Sequence, residues 1–496
     1  MRHPSPDRIP ARRWLWSLSE DVQVEVGPDG EHLVALTEWG EIEIDDTSPL
    51  VRESLHRMSL GPVAVENLPI LRESFQLWRD GRTDESQEPW QRLKRVLDQL
   101  GGCVVQSLGL DDETGPVLSV APVSRDAAFW LPPEIDPDRP IRLSRFVAMR
   151  ASNGELVLES PLTRYRVALH LPLAAWVVGS LASPTTVRGL SELLNVAGPV
   201  LADIVAYLVA SGIVLVGEPA TPARFSEDGD EDMVPWSHHD LVFHAFSRMG
   251  RHGGSTGAVR PHLDRTPPPP VTKPRLAGRR FPLFRPLPAE LRSIDPPLAA
   301  VIESSASSPR DYSDAPLTAE QVGELLFRVA RLRWTRSPVT TDRFGRPVPD
   351  RSYPNTGGMY ELELYLSLDR CRGLPRGSYH YDPREHVLTL INDSDTDLAE
   401  LLDMAKVAAG SIRRPPVLIT FTTRIARLSW MYNGIAYSTT LKHLGALQQT
   451  LHLVATAMGL AAYALAVGDG AVADAALRLD WPSEVSIGEL LVGTRM

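Results

Sequence analysis

The stretch RSYPNTGGMYELELYL, Arg351 to Leu366, joins two unlike pieces of chain. Pro354, Asn355, Gly357 and Gly358 exclude a regular helix or strand from its first half. The second half sets Leu362, Leu364 and Leu366 against Glu361, Glu363 and Tyr365, the two-residue alternation of a strand. Read from composition alone, the first half is an open loop leading into a strand.

The flanking segments extend this into an α/β unit over residues 296–496. LTAEQVGELLFRVARLRW spaces Val322, Leu325, Leu326 and Val329 as one face of an amphipathic helix. GSYHYDPREHVLTLI reads as a hairpin with Asp382 and Pro383 at its turn. PVLITFTT is a buried strand. YSTTLKHLGALQQTLHLVATAMGL is a long helix with Leu441, Leu444, Leu447, Leu451 and Val454 along its buried stripe, and SIGELLVG is a last strand.

Upstream, residues 1–130 mix short strands (VQVEV, HLVALTEWGEIEI) with the helix WQRLKRVLDQLGG, which Gly101 and Gly102 suit for termination. Residues 131–225 follow a similar plan. GELVLESPLTRYRVAL reads as paired strands and LPLAAWVVGSL as a short helix. SPTTVRGLSELL reads as a second helix with Ser183 as N-cap and Pro184 first. GPVLADIVAYLVASGIVLVGE is a helix running into a strand. This is the outline of a winged helix, so two small winged-helix-like modules are expected. The third helix, roughly Val200 to Ala210, carries Asp203 and no Lys or Arg, and a DNA-reading helix needs such donors. Peptide capture by strand addition and a packing or dimerisation role remain for these modules. Residues 226–295 form a connector with the acidic SEDGDED and the stiff, polyproline-like RTPPPPVTKP. His239 and His244, five apart between them, miss the spacing that would put two ligands on one helix face, and no metal is expected there.

The 496 residues carry a formal charge of −11, which argues against nucleic acid bound through a broad basic surface. Two cysteines, Cys103 and Cys371, exclude a disulfide framework and a cysteine-only zinc site. No apolar run reaches membrane-spanning length, and MRHPSPDRIPARRWLW lacks the apolar core of a signal peptide, so a reduced cytoplasmic protein without a membrane partner is expected.

Taken in order, RSYPNTGGMYELELYL, GLPRGSYHYDPREHVLTLI, YSTTLKHLGALQQTLHLVATAMGL and SIGELLVG resemble the SagB-type, or azoline, dehydrogenases. These are flavin enzymes of the nitroreductase fold that act on ribosomally made peptides. The resemblance covers residues 296–496; the two N-terminal modules and the connector piece HDLVFHAFSRMGR also fit it. It implies an α+β chain with a C-terminal nitroreductase-like domain. It also implies FMN, a homodimer or a heterodimer with a related dehydrogenase, a precursor peptide as substrate, and a cyclodehydratase among the partners. The implied reaction oxidises thiazoline or oxazoline rings to thiazole or oxazole.

On this resemblance Asn355, Gly357 and Gly358 form a flavin loop, whose paired glycines let main chain approach a planar ring. Ser308 and Arg310, within SSASSPRDYSD, and Arg495 near the C-terminus are the phosphate candidates, and Gly468 belongs to a second flavin loop. Tyr432 and Lys442 are the catalytic candidates, with His443 beside Lys442. Three positions depart from the family pattern. Ala306 stands where an arginine is expected, Met431 where a lysine is expected, and Ala466 and Val467 replace small residues. A thioether cannot serve as a base. Two alternatives therefore stay open: a flavin-less homologue that binds peptide or a partner enzyme, and a flavin-dependent reductase of dehydroamino acids.

Overall fold

The computed structural model describes residues 11–27, 32–79, 88–111, 113, 115–132, 134–248, 257–305, 312–333 and 350–496. The chain divides into two compact units, residues 1–255 and 256–496. Both mix helices with sheet, as the α+β reading expects. Among the described residues no helix is long and apolar enough to cross a membrane.

In the first unit the stretches expected as separate modules share one sheet. Its seven antiparallel strands run in the order Val63–Ala64, Arg12–Leu18, Val104–Leu110, Pro116–Pro122, Tyr165–Leu169, Glu155–Glu159, Ala148–Ser152. The seam is the pairing of Val120 with Val167. Trp16, Phe75 and Trp90 pack edge to face in one core, with centroids 4.8 to 5.8 Å apart. The helix Gly198–Ala210 buries Val200, Leu201, Ile204, Val205, Tyr207 and Leu208 in a second core, and its Asp203 pairs with Arg12 at 3.0 Å. That helix is spent on packing. One sequence reading is corrected here. The helix expected from Ser183 begins at Val187, and its N-cap is Thr186, whose hydroxyl accepts the Gly189 N–H at 3.0 Å. The intervening Thr185 is instead drawn into a bridge with Ile141.

The second unit is built on another seven-stranded antiparallel sheet. The strand order is Arg280–Pro282, Val387–Asn392, Gly377–Asp382, Leu362–Leu368, Val417–Thr423, Val485–Thr494, Leu460–Ala464. Helices Ala319–Val329 and Ala436–Ala457 cover one face, and Asp395–Ala409 and Gly470–Leu477 the other. The first of these starts in a capping box: the Thr318 hydroxyl accepts the Gln321 N–H, and the Gln321 side chain accepts the Thr318 N–H. Because both faces are covered, all seven residues of Leu362–Leu368 are buried. The leucines enter the core beneath Ala436–Ala457. Glu363, Tyr365 and Ser367 are buried as well, and each needs a polar partner.

Candidate functional site

The loop before strand Leu362–Leu368 is a tight turn, Thr356–Gly358, with left-handed backbone at both glycines, φ 62° at Gly357 and 63° at Gly358. Only glycine takes that conformation at little cost. Tyr360 also sits at positive φ, 44°, where a side chain is strained. Its surroundings hold it there. The Tyr360 N–H donates to Asn355 Oδ1 at 2.9 Å, its hydroxyl accepts the Arg351 N–H at 3.1 Å, and its ring meets Tyr353 edge to face at 5.6 Å. Thr356 and Gly357 are exposed.

Beneath the turn lies His443, 5% exposed, reaching across from the helix Ala436–Ala457. Its Nε2 accepts the Thr356 N–H at 2.9 Å and lies 3.1 Å from the Thr356 hydroxyl. Its Nδ1 is 2.8 Å from Oε1 of Glu361, which is wholly buried. Asn355 Nδ2 donates to the other Glu361 oxygen at 3.0 Å. Burial works to raise the Glu361 carboxyl, but the hydrogen bonds from His443 and Asn355 outweigh it and hold the group below the usual carboxylate range.

Above the turn stands Tyr432, half-buried. A Cβ on Gly357 would lie 2.9 Å from its hydroxyl oxygen. Burial raises the Tyr432 phenol, so it stays protonated at neutral pH. The adjoining Arg427, 6% exposed, fixes the end of the turn by donating from Nε to the Met359 carbonyl at 2.9 Å.

The same guanidinium donates from Nη1 to the Pro269 carbonyl at 2.6 Å. Pro269 belongs to the polyproline connector, which lies along this unit as a strap. Trp430 Nε1 donates to the Thr266 carbonyl at 2.8 Å, and Arg424 donates to the carbonyls of Pro270 and Val271 at 2.8 and 2.9 Å. Prolines offer no N–H, so their carbonyls are the handles available. The strap ends at Lys273, which pairs with the buried Glu484 and donates to the Tyr365 hydroxyl at 2.6 Å. Tyr365 in turn donates to Glu484 at 3.1 Å. Beside them, Glu363 meets His380 Nε2 at 3.1 Å and Arg424 Nε at 2.9 Å, the latter an ion pair outside hydrogen-bond angles. Burial pushes the Glu363 carboxyl up, but His380 and Arg424, with Arg351 behind them, win and bring it down to about 2.

The structure thus brings Asn355, Gly357, Gly358 and Tyr432 together. It turns the Asn355 side chain inward to Glu361 and Tyr360. Lys442 is exposed, one residue from the inward-facing His443. Gly468 lies on an exposed loop with the Glu489 carboxylate behind it, so close that a Cβ would fall 2.4 Å from an oxygen. Arg495 is exposed and reaches the Ser304 carbonyl at 3.3 Å. Ser308 and Arg310, like Ala306, lie outside the described residues. Sequence reasoning missed Glu361 and Arg427. It left His443 as an unsupported neighbour of Lys442, although His443 stands three and four residues from Thr440 and Leu447 on the buried face of its helix.

Two family models match the chain. Residues 141–253 match the cyanobactin oxidase ThcOx model, and residues 304–494 match the nitroreductase family. The nitroreductase-like protein MJ1384 of Methanocaldococcus jannaschii is 25% identical over 153 residues, 31% of this chain and 70% of that protein. Among solved structures, a nitroreductase-like protein of Ralstonia eutropha JMP134 is 21% identical, covering 45% of this chain and 94% of its own, with a TM-score of 0.34. The microcin synthetase McbBCD complex of E. coli, with truncated pro-MccB17 bound, contains a chain 16% identical. That match covers 48% of this chain and 88% of the other, at a TM-score of 0.32. The chain is an oxidoreductase that couples a cyanobactin-oxidase-type domain to a nitroreductase-family domain, as its resemblance to the SagB-type dehydrogenases implies.

Proposed function

We propose that this chain oxidises azoline rings to azoles in a ribosomally synthesised precursor peptide, using FMN received at the Thr356–Gly358 turn. The observation that carries the reading is the turn itself: exposed main chain with left-handed glycines and one phenol against it. The residues fit a flat ligand in that Gly357 and Gly358 present main chain without side chains, Gly357 being exposed, while the Tyr432 hydroxyl stands where a Gly357 Cβ would point. Gly357 and Gly358 would hold the ring face, and Arg495, beside Ser304, would serve the phosphate end with Ser308 and Arg310. Bound FMN supplies the two-electron acceptor for the reaction.

The protein's own part is orientation and proton handling. Tyr432, protonated and half-buried, presents its hydroxyl at the face of the turn and is the group placed to hold or pass a proton there. Met431 adds apolar surface and no base. Lys442 is exposed on the single chain, so in this reading it acts only where a second subunit, identical or related, covers it. The peptide's unmodified part belongs to the first unit. There Trp14, Trp16, Trp78, Trp90, Trp130 and Tyr165 line much of a cavity of about 1200 Å³, room for several apolar side chains.

A second reading, a homologue that recruits peptide without oxidising it, draws support from the inward-turned Asn355 side chain and the Glu489 carboxylate packed behind Gly468. Incubating the purified chain with FMN, in air with an azoline-containing peptide and anaerobically with NADPH as reductant and a dehydroamino-acid peptide, separates the outcomes by mass. Oxidation makes the peptide lighter by about 2 Da, and reduction of a dehydroamino acid makes it heavier by the same amount. An unchanged mass with retained peptide binding favours the recruiting role.

A further inference from the structure

The turn that is to receive a ligand is exposed at Thr356 and Gly357, and glycine is the residue least able to keep a shape by itself. What keeps it is the group of bonds beneath. The Thr356 N–H donates to His443 Nε2, so that nitrogen is an acceptor and the proton of the neutral imidazole sits on Nδ1. From there it is donated to Glu361, 2.8 Å away. Asn355 Nδ2 lies 3.0 Å from the same Nδ1, two donors sharing one carboxylate, and gives its own hydrogen to the second Glu361 oxygen. Asn355 Oδ1 accepts the Tyr360 N–H. Both imidazole nitrogens, both carboxylate oxygens and both ends of the amide are thereby committed to the turn and its exit.

We infer that His443 and Glu361 are positioning residues that latch the Thr356–Gly358 turn in its ligand-receiving shape, an inference that rests on the flavin reading above for what the turn receives. His443 is not the base. Its one in-plane lone pair is occupied by a main-chain N–H, and taking a proton would turn that acceptor into a donor and expel Thr356. Glu361 fixes the tautomer that makes the latch work, much as an outer-shell carboxylate fixes a histidine elsewhere.

Hydrogen exchange on the full chain without added flavin reads the latch directly, and FMN titration reads its consequence. Replacing His443→Leu removes both bonds. It is expected to speed exchange of the Thr356 amide about five- to tenfold, the worth of one net hydrogen bond, and to weaken FMN binding at least as much. His443→Gln carries an acceptor and a donor on one planar group and is expected to restore both. Unchanged exchange across Leu362–Leu368 shows that the fold persists. If His443→Leu does not fold, Glu361→Leu, which strands Nδ1–H, is expected to speed Thr356 exchange by the same route. Thr356 exchange indifferent to these changes, or Gln no better than Leu, overturns the latch. Exchange behaving as expected in a chain that binds no FMN supports the latch and sinks the flavin reading instead.

Discussion

The hydroxyl oxygen of Tyr432 faces Gly357, 2.9 Å from where a Cβ would stand. Gly357→Ala therefore meets two obstacles, this contact and the left-handed φ of 62°. The backbone term alone costs about 1 to 2 kcal/mol. We expect the variant to fold with a lowered melting temperature and to lose most of its FMN affinity, measured by calorimetry and by flavin absorbance after desalting.

Removing only the hydroxyl is a different test. Tyr432→Phe keeps the ring and the room above the turn. Turnover should fall about a hundredfold, the low end of what a positioned proton-handling group contributes. FMN occupancy should stay near that of the parent chain. A fall in occupancy without a fall in turnover per bound flavin would make Tyr432 a packing residue.

Glu363 makes stability depend on acid. Its carboxyl lies at about 2 in the folded chain against 4.5 for an ordinary glutamate, so the folded state holds fewer protons between these values. The stabilisation is complete above about pH 4.5 and is lost as pH falls toward 2. Its size is about 3 kcal/mol by linkage. Chemical denaturation from pH 7 down to pH 2 should show that slope, and Glu363→Gln should flatten it while lowering stability at neutral pH, where Arg424 loses its counter-charge.

Lys273 anchors the strap through Glu484 and Tyr365. In Lys273→Met the buried carboxylate keeps Thr422 and Tyr365 but no cation. Breaking one half of such a pair costs about 3 kcal/mol, less where solvent reaches the lysine. A melting temperature lower by about 5 to 10 °C is expected, together with faster proteolytic cutting between Thr266 and Lys273. An unchanged melting temperature and cutting rate would mean that the strap is held by Arg424 and Arg427 alone.

Local periodicity made the second unit legible. The stripe Val322, Leu325, Leu326 and Val329 is buried as a helix face should be, and the Asp382–Pro383 signal falls at a real hairpin. The alternation in ELELYL placed the leucines correctly, but it could not show that the polar face would also be covered. That depends on the helices Asp395–Ala409 and Gly470–Leu477, distant in sequence. The turn at Gly357 and Gly358 could be read as a turn from its glycines. Its support could not, because Glu361 and His443 are 82 residues apart and Arg427 acts through main-chain carbonyls, which leave no trace in side-chain spacing. The N-terminal modules were read as separate because each has its own run of strands and helices. The pairing of Val120 with Val167 joins them in one sheet, and no local pattern announces it.

The central claim is that a flavin rests on the backbone at Gly357. The visible absorption spectrum of the full chain, supplied with FMN and then desalted, tests it most directly. The account predicts a yellow protein retaining about one FMN per chain, and Gly357→Ala largely colourless. A parent chain that emerges colourless, with no spectral change on adding FMN, contradicts it.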